Sequence, residues 1–275
     1  MAPKTILVMG GASGCVANIV REHLAANKKK YRVVVAGRTA PVSGTEFVHF
    51  DLFESDHDEF IQSLATNYGP IHAVVNCVST GGKLSYDTTL IPMLNYVSAN
   101  LMVALATQLD ATLVHMSSLK VGTPEDTSTK SMSRPLVWRG PRSPYAWSKL
   151  AAEQKLLLSD LKDMSFIRIG LMDSVHGKKF YTRVRTYVNF PVTITKEEDL
   201  CAAIEEAIVA KGRHTISVKS HKEGNGEFYS RMAGGRWCFP GMPVWLFNFV
   251  FGHLLPTKLI DYCDPTGDFT YRLPF

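Results

Sequence analysis

Thr5-Ile-Leu-Val-Met9-Gly10-Gly11-Ala12-Ser13-Gly14-Cys15-Val16-Ala17 is the stretch that decides the fold. Its apolar start has the length and composition of a buried strand, and a helical pattern follows the glycines through about Ala26. Glycine there lets the backbone turn tightly and come close to another group. A helix beginning at such a turn directs free N–H groups and its positive dipole end at whatever lies above, which suits a pyrophosphate. A lone Gly-x-x-Gly says little. Between an N-terminal buried strand and a helix it meets the context of a dinucleotide-binding unit. The competing reading is a strand–helix turn that binds nothing.

Outward from this turn the alternation continues. Strands are expected at Tyr31–Ala36, Glu46–Phe50, Ile71–Asn76, Ala111–Met116 and Ser165–Ile169. Helices are expected near 56–66, over 90–109 and after Ser143-Pro144, which reads as an N-cap and a first helical residue. Val- and Ile-rich strands separated by helices imply a parallel sheet with crossover helices. Beyond about residue 175 the pattern loosens. Glu197–Ala210 reads as an amphipathic helix, His214–Val218 as a strand, Lys219–Arg236 as polar loop, and Phe239–Pro256 as an apolar, aromatic segment. That last segment is expected to be a packed core helix, with a pocket wall, a subunit contact or a membrane-surface contact as alternatives.

The chain has 275 residues, 45% hydrophobic and 20% charged, as in a soluble globular protein of one large domain or a domain with a smaller lobe. Net charge is +5. No long basic stripe with interleaved aromatics occurs, which argues against a nucleic-acid partner. A modest positive field suits a phosphate-bearing ligand. Five scattered cysteines without ligand spacing point to a reducing, cytoplasmic setting and to no metal site. His115, on a buried strand, reads as a core histidine rather than a base. A strand starting at residue 4 or 5 leaves no room for a targeting peptide, and no apolar stretch reaches the ~18 residues of a membrane span.

Two further motifs carry chemistry. After the second strand an acidic residue would accept the 2′-hydroxyl of NAD. This chain has Ala36-Gly37-Arg38-Thr39 instead, and Arg38 can pair with a 2′-phosphate, assisted by Ser13 and Thr39. The expected cofactor is therefore NADP, with NAD as the alternative; a bare surface arginine is the plain competing reading. The second motif is Tyr145-Ala-Trp-Ser-Lys149. Residues four apart share a helix face, and an ammonium beside a phenol is expected to draw its pKa down from ~10. Such a pair serves as the acid/base for an oxygen that hydride transfer converts between carbonyl and alcohol.

With these pieces placed, the chain resembles the short-chain dehydrogenase/reductase superfamily, most of all its extended branch of nucleotide-sugar epimerases, dehydratases and reductases. The resemblance runs from residue 5 to about 205. It implies a doubly wound parallel-sheet Rossmann α/β fold over 1–175 and a small substrate lobe over 176–275, with 193–218 returning partly to the first domain. It also implies a cofactor site from Gly11, Ser13, Gly14, Cys15, Val16, Arg38, Asp51, Leu52, Cys77, Val78, Ser79 and Asn100, together with Tyr145 and Lys149. The branch's Ser-Ser strand ending falls on Ser117-Ser118. Ser118 is the expected catalytic hydroxyl beside Tyr145 and Lys149, with Ser117 as the alternative. Ala17 replaces the branch's last glycine, and Arg168-Ile169 replaces its Arg-Pro.

The departures narrow the reaction. Dehydratases of the branch carry Asp-Glu after the catalytic hydroxyl residue, where this chain has Leu119-Lys120. The reading of Arg38 favours an NADP-dependent carbonyl reductase or dehydrogenase acting on a nucleotide sugar or similar small molecule. A cofactor-retaining nucleotide-sugar epimerase is the alternative. A dinucleotide-sensing regulator is the non-enzymatic competitor, disfavoured because both members of the Tyr/Lys pair are present. Lys178, Lys179, Arg183 and Arg185 are candidates for gripping a diphosphate, or form a solvated basic stretch. A homodimer through the long helices is expected from the resemblance alone.

Overall fold

The computed structural model describes residues 2–11, 14–41, 44–79, 90–121, 144–177, 188–189, 191–232 and 242–243. The strands β1 (Lys4–Met9), β2 (Tyr31–Gly37), β3 (Glu46–His49), β4 (Ile71–Asn76), β5 (Thr112–Ser118) and β6 (Met164–Ile169) alternate with α1 (Cys15–Ala26), α2 (His57–Tyr68), α3 (Leu90–Gln108) and α4 (Pro144–Leu157). Further on come β7 (Leu171–Asp173), β8 (Val188–Asn189), β9 (Pro191–Lys196), α5 (Glu197–Val209), β10 (Arg213–Val218), β11 (His221–Gly224), α6 (Asn225–Met232) and β12 (Met242–Pro243). Seven strands form one sheet in the order β3-β2-β1-β4-β5-β6-β10, and every pairing within it is parallel.

The alternation of side chains along each strand splits the core in two. Leu7, Met9, Val34, Val74, Leu113 and Phe166 face a cluster with residues of α2, α3 and α4. Ile6, Val8, Val35, Val75, Val114 and Ile167 face the opposite cluster with α1 and α5. Buried on both faces, these strands have no polar side to show, so they read as continuous apolar runs. The sheet reverses its winding between β1 and β4, and in such sheets ligands bind beyond the carboxyl ends of the strands at that reversal.

The chain after β6 returns to this frame. Helix α5 contributes Leu200, Ala203, Ile204 and Ala207 to the second cluster. Strand β10 completes the sheet beside β6. Just before α5, β9 lies parallel to β7 and antiparallel to β11 in a separate small sheet, and β8 pairs with β12. A side chain at Gly170 would collide with the Thr193 carbonyl, so glycine permits the crossing of these two segments.

The expected polar loop at 219–236 is corrected in part: β11 and α6 lie there. His221-Lys-Glu-Gly224 has no strand pattern of its own and is held by pairing with β9. Helix α6 buries Phe228 and Met232, one turn apart, and Arg231 ties it to Asp173 and Glu223 at 2.8 and 2.6 Å. Ser143, the four basic residues at 178–185 and most of 239–256 lie outside the described residues. Among the described residues, no helix is long and apolar enough to cross a membrane.

Candidate active site

The glycine turn is built for a close approach. Gly10 has φ +72°, and a Cβ there would sit 3.1 Å from the Val78 backbone. A Cβ on Gly11 would sit 2.9 Å from Val8 Cγ1 and 3.1 Å from Val35 Cγ1. Gly14 precedes the first residue of α1 with φ +108°, and its missing side chain opens onto empty space. No side chain caps α1 and its first turn carries no acid, so the N–H groups there stay available to an anion. Arg21, buried on α1, donates to the Gly11 carbonyl at 3.2 Å and steadies the turn. A dinucleotide pyrophosphate fits this cradle. Cys15 starts the helix and Val16 follows half-buried; Ser13 lies outside the described residues. Burial pushes the Cys15 thiol up to about 11, against a hydrogen bond with Ser174.

The ends of three further strands, β2, β3 and β4, carry other expected cofactor contacts. Arg38, after β2, is 74% exposed, its Nε 3.8 Å from Asp51 Oδ2. Asp51 is fixed by accepting the Phe53 N–H at 2.9 Å. Leu52 is drawn into the core. After β4, the Cys77 N–H donates to the Met9 carbonyl at 3.0 Å. The Val78 N–H donates to Asn76 Oδ1 at 3.0 Å. Asn76 and His115 Nδ1 are 3.0 Å apart. His115 is thus a core histidine with one partner, its Nε2 buried without one. Burial, helped by nearby Lys149, keeps it neutral by holding its pKa well below the usual value.

The end of β5 separates the two serines. Ser117 donates to the Glu153 carboxylate. Ser118 Oγ accepts the Lys120 N–H at 3.2 Å and, with Ser79, lies close enough to the Tyr145 phenol to lower its pKa. Helix α4 brings Tyr145, Lys149 and Glu153 to one face at successive turns. Lys149 Nζ donates to the Met116 carbonyl at 2.9 Å.

The expected lowering of the phenol by Lys149 is corrected. Burial pushes Tyr145 above its usual value, and it is the Ser79 and Ser118 hydrogen bonds that pull it back. The ammonium is spent on Met116. Burial also brings Lys149 down to about 8, opposed by Cys77 and Glu153. The Cys77 thiol is pushed up to about 12, chiefly by burial.

Asn100 is exposed on α3. Asn95, five residues earlier and about 140° round the helix, is fully buried and donates to Ser148 Oγ at 2.7 Å. Ser148 Oγ in turn donates to the Tyr145 carbonyl at 2.7 Å. Asn95 Oδ1 is buried without a partner. Helical phase shows the signal, since Asn95, Ser98, Ala99 and Met102 are the inward positions.

Glu153 is the other residue the motifs do not mark, and its partner Arg168 is the arginine at the branch's Arg-Pro position. Arg168 Nε and Nη2 hold the two carboxylate oxygens of Glu153 at 3.0 and 2.6 Å, buried between α4 and β6. A separate cleft lined by His23, Asp173, Cys201 and Arg231 lies against α1 and α5 and includes none of the strand-end residues. Its charges are paired, His23 with Glu205 at 3.0 Å and Arg231 with Asp173 at 2.8 Å. Among the described residues no group of three or more His, Cys, Asp or Glu could hold a metal ion.

Comparison with known proteins agrees with this architecture. The profile of the NAD-dependent epimerase/dehydratase family matches residues 6–188. No curated protein sequence matches the chain. Among solved structures, the chain is similar to Thermus thermophilus UDP-glucose 4-epimerase in complex with NAD, with TM-score 0.66 and 19% identity over 87% of this chain and 86% of that one. It is similar to the Bordetella bronchiseptica enzyme WbmG in complex with NAD and UDP, with TM-score 0.64 and 16% identity over 87% of this chain and 81% of that one. It is similar also to UDP-N-acetylglucosamine 4-epimerase from Bacillus cereus, with TM-score 0.62 and 15% identity over 90% of this chain and 92% of that one. At these identities the structural likeness shows the fold, and the family profile carries the assignment. The chain belongs to the NAD-dependent epimerase/dehydratase family, in the extended branch of the short-chain dehydrogenase/reductases, and is an NAD(P)-dependent enzyme.

Proposed function

We propose that this protein is an NAD(P)-dependent epimerase of a nucleotide sugar. The observation that carries the reading is the Ser118–Tyr145–Lys149 group at the sheet reversal, with Ser118 and Lys149 buried and Tyr145 half-buried, where the Glu153 carboxylate on the same face of α4 is already taken up by Arg168 and Ser117. Epimerisation needs one acid/base, used first to take and then to return the same proton; dehydration needs more. Leu119, buried where a dehydratase of the branch has an acid, cannot supply it.

The bound nicotinamide would accept a hydride from the sugar carbon and give it back to the other face. The chain's own residues do the rest. Ser118 holds the reacting oxygen. Tyr145 takes the hydroxyl proton as the carbonyl forms and returns it as the carbonyl closes. Lys149, one turn further along α4, is anchored by the Met116 carbonyl on the same helix face as Tyr145. The glycine turn and the α1 N-terminus hold the pyrophosphate. Arg38 supports NADP as a cofactor beside the NAD found in the relatives' structures. The sequence reading placed an NADP-dependent reductase first. Arg38 keeps that as the second reading, and family membership supports the epimerase ahead of it. A homodimer is part of the proposal. Met93, Tyr96 and Trp147 are about half exposed on α3 and α4, and α3 carries no charged residue, which suits burial against a second copy.

The test is to purify the protein, assay for carried-over nicotinamide, and offer UDP-hexoses without added cofactor. Conversion to the epimer supports the proposal. Stoichiometric consumption of added NADPH with no epimer supports the reductase.

A further inference from the structure

Glu153 is 1% exposed, and its carboxylate is fully engaged. Arg168 forks onto it from β6, at 3.0 Å to Oε1 and 2.6 Å to Oε2, and Ser117 donates from β5. Ser117 lies between Met116, whose carbonyl holds Lys149, and Ser118, whose hydroxyl lies by the Tyr145 phenol. One carboxylate therefore ties together the strand residue between two catalytic contacts and the helix that supplies their partners. A buried ion pair of this kind is poor evidence of stabilisation, because removing two charges from water offsets most of their attraction. The position is better explained by what it fixes.

We infer that Glu153 is a positioning residue for the Tyr145–Lys149 pair: through Arg168 and Ser117 it pins that face of α4 to the end of β5, and it sets a buried negative charge one helical turn from the Lys149 ammonium. Its consequence for turnover rests on the proposed function; its effect on Lys149 does not. Among the described residues, the charged and titratable groups around Lys149 are Cys77 beyond β4, His115 on β5, and Tyr145 and Glu153 on α4, with Arg168 of β6 on the carboxylate. Helix α3, packed against α4, brings no charge. Cys77 and His115 are both held neutral near pH 7 by burial. Glu153 is then the anion that keeps Lys149 protonated in this dry setting.

The experiment is a pH titration of isotopically labelled lysine side chains by NMR, with the Lys149 signal assigned by its loss in Lys149→Met. In Glu153→Gln the Lys149 midpoint should fall by about one pH unit relative to wild type, and in Glu153→Asp it should stay near the wild-type value. If Glu153→Gln fails to fold, the double variant Glu153→Gln/Arg168→Met removes the pair without stranding a charge, and a smaller fall in the same direction is expected, because the Arg168 cation goes with the carboxylate. A purely structural clamp would lower the melting temperature and leave the midpoint in place; that result overturns the inference. Turnover separates the two claims. A wild-type protein inactive on every nucleotide sugar sinks the proposed function, while the lysine midpoint still decides the role of Glu153.

Discussion

Lys149 reaches from α4 to the backbone carbonyl of Met116 on β5, 2.9 Å away, and is 2% exposed. A buried ammonium held by a neutral acceptor is poorly solvated, so its proton is easily lost and the folded protein carries the cost. Burial brings its pKa from 10.5 to about 8. The charged form is the disfavoured one, so below pH 8 the penalty is fully present. From about 8 toward 10.5 the unfolded chain binds more protons, and stability rises with pH. Lys149→Met should therefore stabilise the fold at pH 7 by on the order of 2 kcal/mol while abolishing turnover. Denaturant unfolding at pH 7 and pH 10 checks this; the gap between variant and wild type should narrow at the higher pH.

Tyr145→Phe removes the proton carrier and leaves the cradle intact. Turnover should fall by about 10²–10⁴-fold, with NAD(P) affinity within a few-fold of wild type by nicotinamide fluorescence. Comparable loss of cofactor binding would place Tyr145 in the cradle rather than in the chemistry.

How much of this was legible in the sequence depends on what each residue answers to. Strands β1, β2, β4, β5 and β6 are apolar runs because both faces are buried, and the bounds of β1 to β6 followed to within two residues at either end. Gly11, Gly14, Ser118, Tyr145 and Lys149 sit in motifs whose spacing carries their meaning. Strand β11 and helix α6 were not legible, since His221–Gly224 is a strand only because β9 pairs with it. Asn95 and Glu153 were missed for another reason. Each is a polar residue in a helix that reads as ordinary until its phase is set against its neighbours, and the phase of α3 became visible only once Asn95, Ser98 and Met102 were seen to share the buried side.

The glycines of the turn should fail in different ways. Gly11→Ala puts a Cβ 2.9 Å from Val8 Cγ1, an overpacking worth about 1–3 kcal/mol. Gly14→Ala meets no atom within 4 Å, but its φ of +108° strains any side chain, again at about 1–3 kcal/mol. Melting temperatures should fall for both. Bound cofactor should restore less of the loss in Gly14→Ala, whose new methyl occupies the open space over the α1 N-terminus.

Arg38 is 74% exposed and only 3.8 Å from Asp51, so it is free to turn to a 2′-phosphate. Arg38→Ala should weaken NADPH binding by about tenfold or more and leave NADH nearly unchanged. Equal effects on both cofactors would remove the basis for NADP.

Trp147, 52% exposed on α4, lies on the apolar face assigned to a second copy. Trp147→Glu should convert a dimer to a monomer in sedimentation velocity, with the far-ultraviolet circular dichroism unchanged. A wild-type protein already monomeric at high concentration would contradict the dimer.

The central claim is that one acid/base pair, Tyr145 with the buried Lys149, takes a proton from a nucleotide sugar and gives it back. The direct measurement is NMR of a UDP-hexose incubated with the protein as purified, with no cofactor added. The account predicts the epimer, formed without net gain or loss of nicotinamide and without deuterium on the epimerised carbon in heavy water. No epimer, or a reduced product appearing only with added NADPH, would contradict it.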